Sequence, residues 1–446
     1  MTHVFQREIG EQMPLAVKGE GIYIVDSNGK RYLDASCGAA VSCLGHSDPD
    51  IIQAIKDQLD HMAFAHSTFF SSAPAEELAD FLIDSSPNGL EATYFVSGGS
   101  EGVEAALKMA RQYFVEIDQP ARTLFIARRQ SYHGNTLGAL SVGGNLWRRK
   151  PYESMLIKTS HISPCYAYRD QRDEETEEEY GSRVSKELEE KILELGSKNV
   201  AAFIAETVGG ATAGVIPPVK SYFKKIRQIC SKYGVLLILD EVMCGMGRTG
   251  TLFACEQDQI SPDIMVIAKG LGAGYQPIGA VLVSKRIFKA FKNGSGIFLH
   301  GHTYMGHATA CAAALAVQKK IKTLDLVRKV KMSGAKLFGD LKDAFGEHPY
   351  IGDIRGRGLF IGIELVSDRL TKKPFSSSLK INSQVRRVAM EYGLICYPGG
   401  GTVDGLNGDH ILIAPPYIIE EKDFVEIINK LKKSVNEVLL RNDFPI

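Results

Sequence analysis

Residues 235–242 read VLLILDEV, and residues 264–274 read IMVIAKGLGAG. Each stretch is a short, continuous apolar run that ends on a charged residue. Continuous apolar runs of this length are typical of strands buried on both faces of a parallel sheet. Similar runs occur at 92–96, 123–126, 200–204 and 279–283, and helices with amphipathic spacing are predicted at 103–115 and 222–233. This alternation predicts an α/β fold with a mainly parallel sheet covered on both faces.

The two ends of the chain carry a different pattern. An Asn-Gly turn within 21–33 predicts a β-hairpin, followed by a helix at 48–61. Near the other end we expect strands at 356–365 and 411–413 and a closing helix at 421–440. We therefore predict a smaller α+β domain built from both termini, with boundaries 1–65 and 326–446 around a large domain at 66–325.

Composition narrows the class of protein. The chain has 52 lysine and arginine residues and 52 aspartate and glutamate residues, so its formal net charge is zero. A balanced charge does not indicate binding to nucleic acid or to a membrane surface. No apolar run approaches the roughly 20 residues that span a bilayer, and the first residues do not resemble a secretory signal. The 8 cysteines are scattered without a CxxC pair, which favours reduced thiols in a cytoplasm and no metal cluster.

Residues 97–102, SGGSEG, follow a predicted strand and begin a predicted helix. A glycine-rich turn of this kind lets backbone N–H groups approach an anion, where the helix dipole favours negative charge. Gly99 and Ser100 are therefore candidates for binding a phosphate. The alternative is a tight turn in which a serine caps the helix.

The charged residues that end the apolar runs in 235–242 and 264–274 are further candidates for a ligand-binding site. Asp240 ends an apolar strand where open α/β sheets bind ligands, and a protonated ring nitrogen would suit a buried carboxylate there. Alternatively, Asp240 and Glu241 bond neighbouring loop amides. Lys269 could be a nucleophile toward a carbonyl if it is desolvated, or a lysine in a salt bridge.

Taken together, these residues match one type of cofactor. A phosphate cradle, a carboxylate and a lysine are the partners needed by a molecule that carries a phosphate, a pyridine nitrogen and an aldehyde. Tyr132 and His133, after the strand at 123–126, offer an aromatic face for a flat ring.

In this order of motifs the chain resembles the class III (ω-type) pyridoxal-phosphate aminotransferases of fold type I. The resemblance covers nearly the whole length. It rests on Asp34, Gly45-His46, SGGSEG, YHG at 132–134, Ala205-Glu206, DEV at 240–242, GMGRTG at 245–250, AKGLGAGYQPIGA at 268–280, His302-Thr303 and RGRGLFIGIEL at 355–365.

The resemblance implies a role for each matching residue. Gly99 and Ser100 would bind the phosphate of pyridoxal 5′-phosphate, while Tyr132 and Val242 would contact opposite faces of its ring. Asp240 would pair with the ring nitrogen, and Lys269 would hold the cofactor as a Schiff base and transfer protons. Glu206 would lie near the substrate, and His133 beside the cofactor. Thr303 would reach the phosphate in a neighbouring subunit, which implies a homodimer, or a pair of dimers, with shared active sites.

One position departs from the family pattern. Relatives that use ornithine, acetylornithine or 4-aminobutyrate carry an arginine shortly before a Pro-Pro pair, and Leu412 stands there in this chain. A leucine cannot clamp a carboxylate, so we expect an amine or ω-amino acid as donor and pyruvate as the favoured acceptor. Another arginine, Arg148 or Arg149, could bind a substrate carboxylate. Phe69, Phe70 and Trp147 could line an apolar substrate pocket, but we expect each of them to pack in the core.

Other reactions share this scaffold. The same cofactor-binding residues would serve an epimerase, an aminomutase or a decarboxylase. A non-catalytic cofactor-binding protein is disfavoured because Lys269, Asp240 and Glu206 are all present. A dehydrogenase is disfavoured because no GxGxxG motif follows an early strand.

Overall fold

The computed structural model describes residues 3–10 and 12–446. Strands and helices alternate through its middle part, as the apolar runs predict. The strands are β1 Ala16–Glu20, β2 Tyr23–Asp26, β3 Arg31–Asp34, β4 Leu90–Val96, β5 Leu124–Arg128, β6 Thr159–Ile162, β7 Val200–Glu206, β8 Leu236–Asp240, β9 Ile264–Ile267, β10 Gly279–Ser284, β11 Ile351–Arg357, β12 Phe360–Leu365, β13 Leu394–Ile395, β14 Tyr397–Gly400 and β15 Asp409–Ile413. The helices are α1 Cys37–Ala40, α2 Pro49–His61, α3 Ala73–Asp84, α4 Gly99–Glu116, α5 Leu137–Val142, α6 Leu146–Arg149, α7 Ala167–Asp170, α8 Glu177–Leu195, α9 Tyr222–Tyr233, α10 Lys285–Asn293, α11 Ala308–Thr323, α12 Leu326–Phe345, α13 Ile381–Glu391 and α14 Glu421–Arg441.

A seven-stranded sheet forms the centre of the molecule, in the order β4-β10-β9-β8-β7-β5-β6. Strand β10 runs antiparallel to both of its neighbours, and the other pairings are parallel. Successive residues of β8 point into different cores: Leu237 and Leu239 pack in one apolar cluster, whereas Leu236 and Ile238 pack in another. Both faces of the sheet are therefore covered, and the predicted mainly parallel α/β fold is confirmed.

The two ends of the chain meet in a second sheet with the order β1-β2-β3-β13. Leu33 of the predicted N-terminal hairpin pairs in parallel with Leu394 of β13. A third sheet, β11-β12-β15-β14, lies in the C-terminal part of the chain. Segments from both termini thus pack together, as expected, while the domain boundaries 1–65, 66–325 and 326–446 stay predictions.

One strand prediction was wrong. The segment 356–365 is not a single strand, because β11 ends at Arg357 and β12 begins at Phe360 as its antiparallel partner. Gly358 lies between them with φ 57°, a left-handed conformation that favours glycine in a tight reversal. A Cβ at this position would lie 2.5 Å from the backbone carbon of Thr249, so the close packing requires glycine as well.

The carboxyl ends of the parallel strands define one edge of the central sheet. Glu206 is the last residue of β7 and Asp240 the last residue of β8, and the two residues are direct partners across the parallel strands. Lys269 follows β9, the next strand along. Ligands of open α/β sheets bind outside this edge, so the fold brings the sequence candidates to one place. Among the described residues, no helix combines the length and the apolarity needed to cross a bilayer.

Candidate active site

A cavity of about 560 Å³ lies at this edge of the central sheet. Almost every residue singled out from the sequence lines it. These are Gly99, Ser100, Tyr132, His133, Glu206, Asp240, Val242 and Lys269. Thr303 is outside the cavity of the single chain, on an exposed loop before α11, so its predicted contact with a second subunit stays a prediction.

The glycine-rich turn opens helix α4 directly at the cavity. The helix starts at Gly99, with Gly98 as its N-cap and without a side-chain cap, so the alternative of a capping serine is wrong. A Cβ at Gly99 would lie 2.9 Å from both methyl groups of Val242, which explains why a glycine is needed there. The first N–H groups of a helix have no intrahelical acceptor, and Gly99 and Ser100 at the start of α4 line the cavity, so their predicted role in binding a phosphate stays a prediction.

The loop after β5 packs against this helix start. The Ser100 hydroxyl accepts a hydrogen bond of 3.1 Å from the backbone N–H of Asn135. Gly134 has φ 136°, and a Cβ there would lie 2.7 Å from Ser100 Oγ. The close approach of the two loops carries Tyr132 and His133 to the cavity wall.

Asp240 and Glu241 separate at the end of β8. Asp240 is buried, and its Oδ2 lies 2.8 Å from His133 Nδ1, while its Oδ1 accepts a hydrogen bond of 3.0 Å from Val242 N. Glu241 turns the other way and accepts hydrogen bonds from Thr207 Oγ1 and from the backbone N–H groups of Ala254 and Cys255. Burial raises the pKa of Glu241 to about 7 despite these bonds. The loop-amide interpretation is therefore correct for Glu241, and Asp240 is the carboxylate at the cavity.

His133 was predicted to lie beside the cofactor, and its strongest contact is with Asp240. The imidazole is buried, and Nε2 has no hydrogen-bond partner among the described residues. An imidazole bonded to a carboxylate fixes the orientation of that carboxylate. Nothing local in the sequence indicates this pair, because 107 positions separate the two residues.

Glu206 is held at the neighbouring strand end. Its Oε1 accepts a hydrogen bond of 2.9 Å from Gly210 N, and its Oε2 accepts one of 3.3 Å from Tyr132 N. Burial raises the pKa of this carboxyl, and the nearby charge of Asp240 acts in the same direction. Glu206 therefore links the β7 end to the loop that carries Tyr132.

Lys269 has the backbone and the environment of a reactive lysine. Its φ of 47° lies in the left-handed region, which is strained for a residue with a Cβ. Burial lowers the pKa of its amine to about 8, although Asp240 and Glu206 oppose the shift. The side chain forms no salt bridge with a described residue, so the salt-bridge interpretation is wrong. A lysine with a lowered pKa has a much larger neutral, nucleophilic fraction near neutral pH than an ordinary lysine.

These residues fit the predicted cofactor. The free N–H groups of α4 suit a phosphate, the Asp240 carboxylate suits a protonated ring nitrogen, and the Lys269 amine suits an aldehyde. Val242 and the Tyr132 ring stand on the cavity wall between them. Within the part of the chain that the structure describes, no group of three or more potential ligand side chains is placed to hold a metal ion.

Several residues at or near the cavity differ from what the sequence indicated. Arg149 is buried and donates to the carbonyl oxygens of Leu140, Ser141 and Gly143, so it is not available to a substrate. Arg148 lines the cavity, as does Arg7, which carried no signal in the sequence. Core packing was expected for three aromatic residues, and this was wrong. Phe69, Phe70 and Trp147 are 76%, 69% and 49% exposed in the single chain.

Comparisons with known proteins agree with this geometry. The family profile described as aminotransferase class-III matches residues 5–435. An uncharacterised aminotransferase of Schizosaccharomyces pombe is 45% identical over 98% of this chain and 96% of its own length. The chloroplastic gamma aminobutyrate transaminase 3 of Solanum lycopersicum is 38% identical, over 95% and 81%.

A solved structure of a transaminase has the same fold. The omega transaminase of Pseudomonas jessenii in complex with PMP superposes with a TM-score of 0.91 at 33% identity, over 98% of this chain and 97% of that one. These matches favour amino transfer over the epimerase, aminomutase and decarboxylase alternatives. The chain therefore belongs to the class III aminotransferases, enzymes that depend on pyridoxal 5′-phosphate.

Proposed function

We propose that this aminotransferase takes the amino group of a primary amine or an ω-amino acid and transfers it to a keto acid, with pyruvate favoured. The observation that carries the proposal is Leu412. This side chain is fully buried on β15 and packs in an apolar cluster with Phe360, Met243 and Tyr397. Met243 and Tyr397 also line the cavity. Leu412 thus lies behind the wall that Met243 and Tyr397 form, and it offers no guanidinium to a dicarboxylate.

The names of the relatives support the donor class. The tomato relative is named for gamma aminobutyrate, an ω-amino acid. The Pseudomonas jessenii relative is named an omega transaminase. We extend that donor class to this chain. The acceptor rests on Leu412 alone.

In this proposal, each residue at the cavity has one task. Gly99 and Ser100 bind the phosphate, and Tyr132 and Val242 hold the ring from opposite faces. Asp240 keeps a proton on the ring nitrogen, oriented by His133. The bound cofactor supplies a carbonyl carbon for the substrate nitrogen and a ring that withdraws electrons from the bond being broken.

Lys269 performs the proton transfers. With a pKa near 8, Nζ can accept a proton from the substrate Cα and return it at the neighbouring carbon. Glu206 holds the Tyr132 backbone next to the reacting groups. Because donor and acceptor use the same cavity in turn, we expect ping-pong kinetics.

The acceptor is tested by pre-loading the enzyme with an amino group and adding either pyruvate or 2-oxoglutarate. We expect a higher kcat/KM for pyruvate by about tenfold or more, the size of a lost charge-assisted carboxylate contact. A higher kcat/KM for 2-oxoglutarate would contradict the interpretation of Leu412.

We also propose a homodimer in which Thr303 of one subunit completes the cavity of the other. An exposed apolar surface surrounds Thr303: Leu299 is 78% exposed and Tyr304 59%. Phe64 packs on Tyr304, with ring centroids 5.7 Å apart, and leads to exposed Phe69. Large exposed apolar surfaces of this kind mark protein interfaces.

Shared sites make a specific prediction for mixed dimers. Subunits with Lys269→Ala and subunits with Thr303→Val are each expected to lose activity alone. When they are mixed, one of the two sites in a hybrid dimer regains both residues, so activity returns in part. Mixtures without any recovery, or light scattering that shows a monomer, would contradict the shared site.

For the compartment we propose the cytoplasm. All 8 cysteines are free and buried, as expected where thiols stay reduced. A titration with a thiol reagent in denaturant should count 8 thiols in protein isolated from the native cell under non-reducing conditions. A smaller count would oppose this assignment.

A further inference from the structure

Arg148, in the short helix α6, lines the cavity, and its guanidinium has no hydrogen-bond acceptor in the part of the chain that the structure describes. The group lies 5.0 Å from the centroid of the Tyr132 ring and 4.8 Å from a ring of Trp147. Its Nε is buried and has no hydrogen-bond partner, and the side chain forms no ion pair with any residue that the structure describes. Buried donors in proteins are nearly always paired, so this group lacks a partner that a ligand could supply.

The aromatic contacts decide which part of the guanidinium is free. Stacking on aromatic rings engages the flat faces of the group and leaves its N–H edge available. That edge is a planar fork of donors whose geometry matches a carboxylate in a bidentate pair. A neutral carbonyl would satisfy one donor but leave the charge unmatched.

Among the described residues, neither carboxylate that lines the cavity is hydrogen-bonded to Arg148. Asp240 is bonded to His133, and Glu206 accepts its hydrogen bonds from two backbone N–H groups. Both acids lie at the ends of β7 and β8, directly above the sheet. The positive charge of Arg148 therefore calls for an anionic group from outside the protein.

The other arginines near the cavity are less suited to this task. Arg128 donates to the carbonyl oxygen of Glu206, and Arg149 is held by three carbonyl oxygens. Arg7 also lines the cavity, but it is exposed on the segment before β1. Of the described arginines that line the cavity, Arg148 is the one that combines partial burial, aromatic support and an unpaired buried donor.

The strand order separates Arg148 from Lys269. Lys269 follows β9, whereas Tyr132 and Arg148 follow β5, and strands β8 and β7 lie between them. Three steps of about 4.8 Å place the two strand ends about 14 Å apart. Lys269 and Arg148 both line the same cavity, so a substrate chain of several carbons could reach from one to the other.

We propose that Arg148 binds a substrate carboxylate at the end remote from the transferred nitrogen, and so makes the enzyme prefer ω-amino acids to plain amines of the same length. This inference rests on the proposed function and names its donor more closely. Leu412 itself offers no such contact from strand β15.

The test compares two donors that differ only in the carboxylate: 4-aminobutyrate and 1-aminobutane. For Arg148→Gln we expect kcat/KM with 4-aminobutyrate to fall by about 10- to 100-fold, the range of a charge-assisted bidentate contact. With 1-aminobutane the change should stay within about threefold, because no contact is lost. Arg148→Lys should give an intermediate loss, since it keeps the charge without the fork.

Two further variants serve as controls. Lys150→Gln removes an exposed cation close to Arg148 in the chain and should change neither donor. Arg7→Gln tests the rival arginine. The proposal is overturned if Arg7→Gln produces the selective loss, if Arg148→Gln affects both donors equally, or if it affects neither.

A binding measurement separates this proposal from the proposed function. Pentanoate has a carboxylate and no amine, so calorimetric titration of the holoenzyme reports the carboxylate contact without any reaction. We expect Arg148→Gln to weaken its Kd by about tenfold or more and Lys150→Gln to leave it unchanged. If the unmodified enzyme transfers nitrogen from neither donor but this difference appears, the proposed function fails and the carboxylate site stands. An equal Kd for both variants and the unmodified enzyme refutes the site.

Discussion

Replacing Lys269 by methionine is expected to stabilise the cofactor-free protein at neutral pH. Methionine has a similar length and no charge, so it fills the same space without an ammonium group that burial disfavours. The left-handed backbone at this position, φ 47°, is equally strained with either residue. The difference in stability should therefore report the charge of the lysine alone.

The lowered pKa sets the magnitude. The amine has a pKa of about 8 in the folded protein against 10.5 as its ordinary value. Between these values the unfolded chain binds the proton and the folded chain does not, so stability rises with pH in this window. Below pH 8 the whole penalty is present, about 3 kcal/mol, and at pH 10 about 1 kcal/mol remains.

Thermal unfolding of both proteins without cofactor tests this reasoning. At pH 7 the Lys269→Met protein should melt about 2–4 °C higher, given the entropy of unfolding expected for a chain of this size. The advantage should shrink to about 1 °C at pH 10. As a control, Lys289→Met on the exposed side of α10 should change the melting temperature little at either pH. An advantage that is absent at pH 7, or that does not shrink as the pH rises, would refute a desolvated amine at this position.

Three other outcomes are expected. Borohydride reduction of the loaded enzyme should leave a cofactor adduct on the peptide of Lys269, and Lys269→Ala should abolish both the adduct in the mass spectrum and transamination. His133→Phe should lower kcat by about tenfold, since Asp240 loses the 2.8 Å contact that orients it; an unchanged kcat would mean that Val242 N alone fixes this carboxylate. Leu412→Ala should lower the free energy of unfolding by about 2–5 kcal/mol in urea, because the side chain is fully buried. A loss below 1 kcal/mol would show that the site collapses around the smaller residue.

Local pattern alone was sufficient for six of the seven strands of the central sheet, all but β6, and for the edge at which the candidate residues meet. Apolar runs of four to seven residues can satisfy burial on both faces only in a covered sheet. The carboxyl ends of parallel strands necessarily meet at one edge, so Asp240 and Lys269 could be placed together before any coordinates were known. The reversal at Gly358 escaped this reasoning, because a glycine within an apolar run does not reveal which φ it will adopt.

Only the tertiary structure decided which group each of two adjacent side chains contacts. Asp240 and Glu241 are adjacent carboxylates, yet one meets His133 at the cavity and the other meets the amides of Ala254 and Cys255. Arg148 and Arg149 are also adjacent, yet Arg148 lines the cavity and Arg149 donates hydrogen bonds to three backbone carbonyl oxygens. The sequence by itself determined the sheet, the edge and the cofactor chemistry, since these depend on periodicity and residue type. Only the folded chain determined which residue of each pair lines the cavity, because that depends on groups brought near from distant positions.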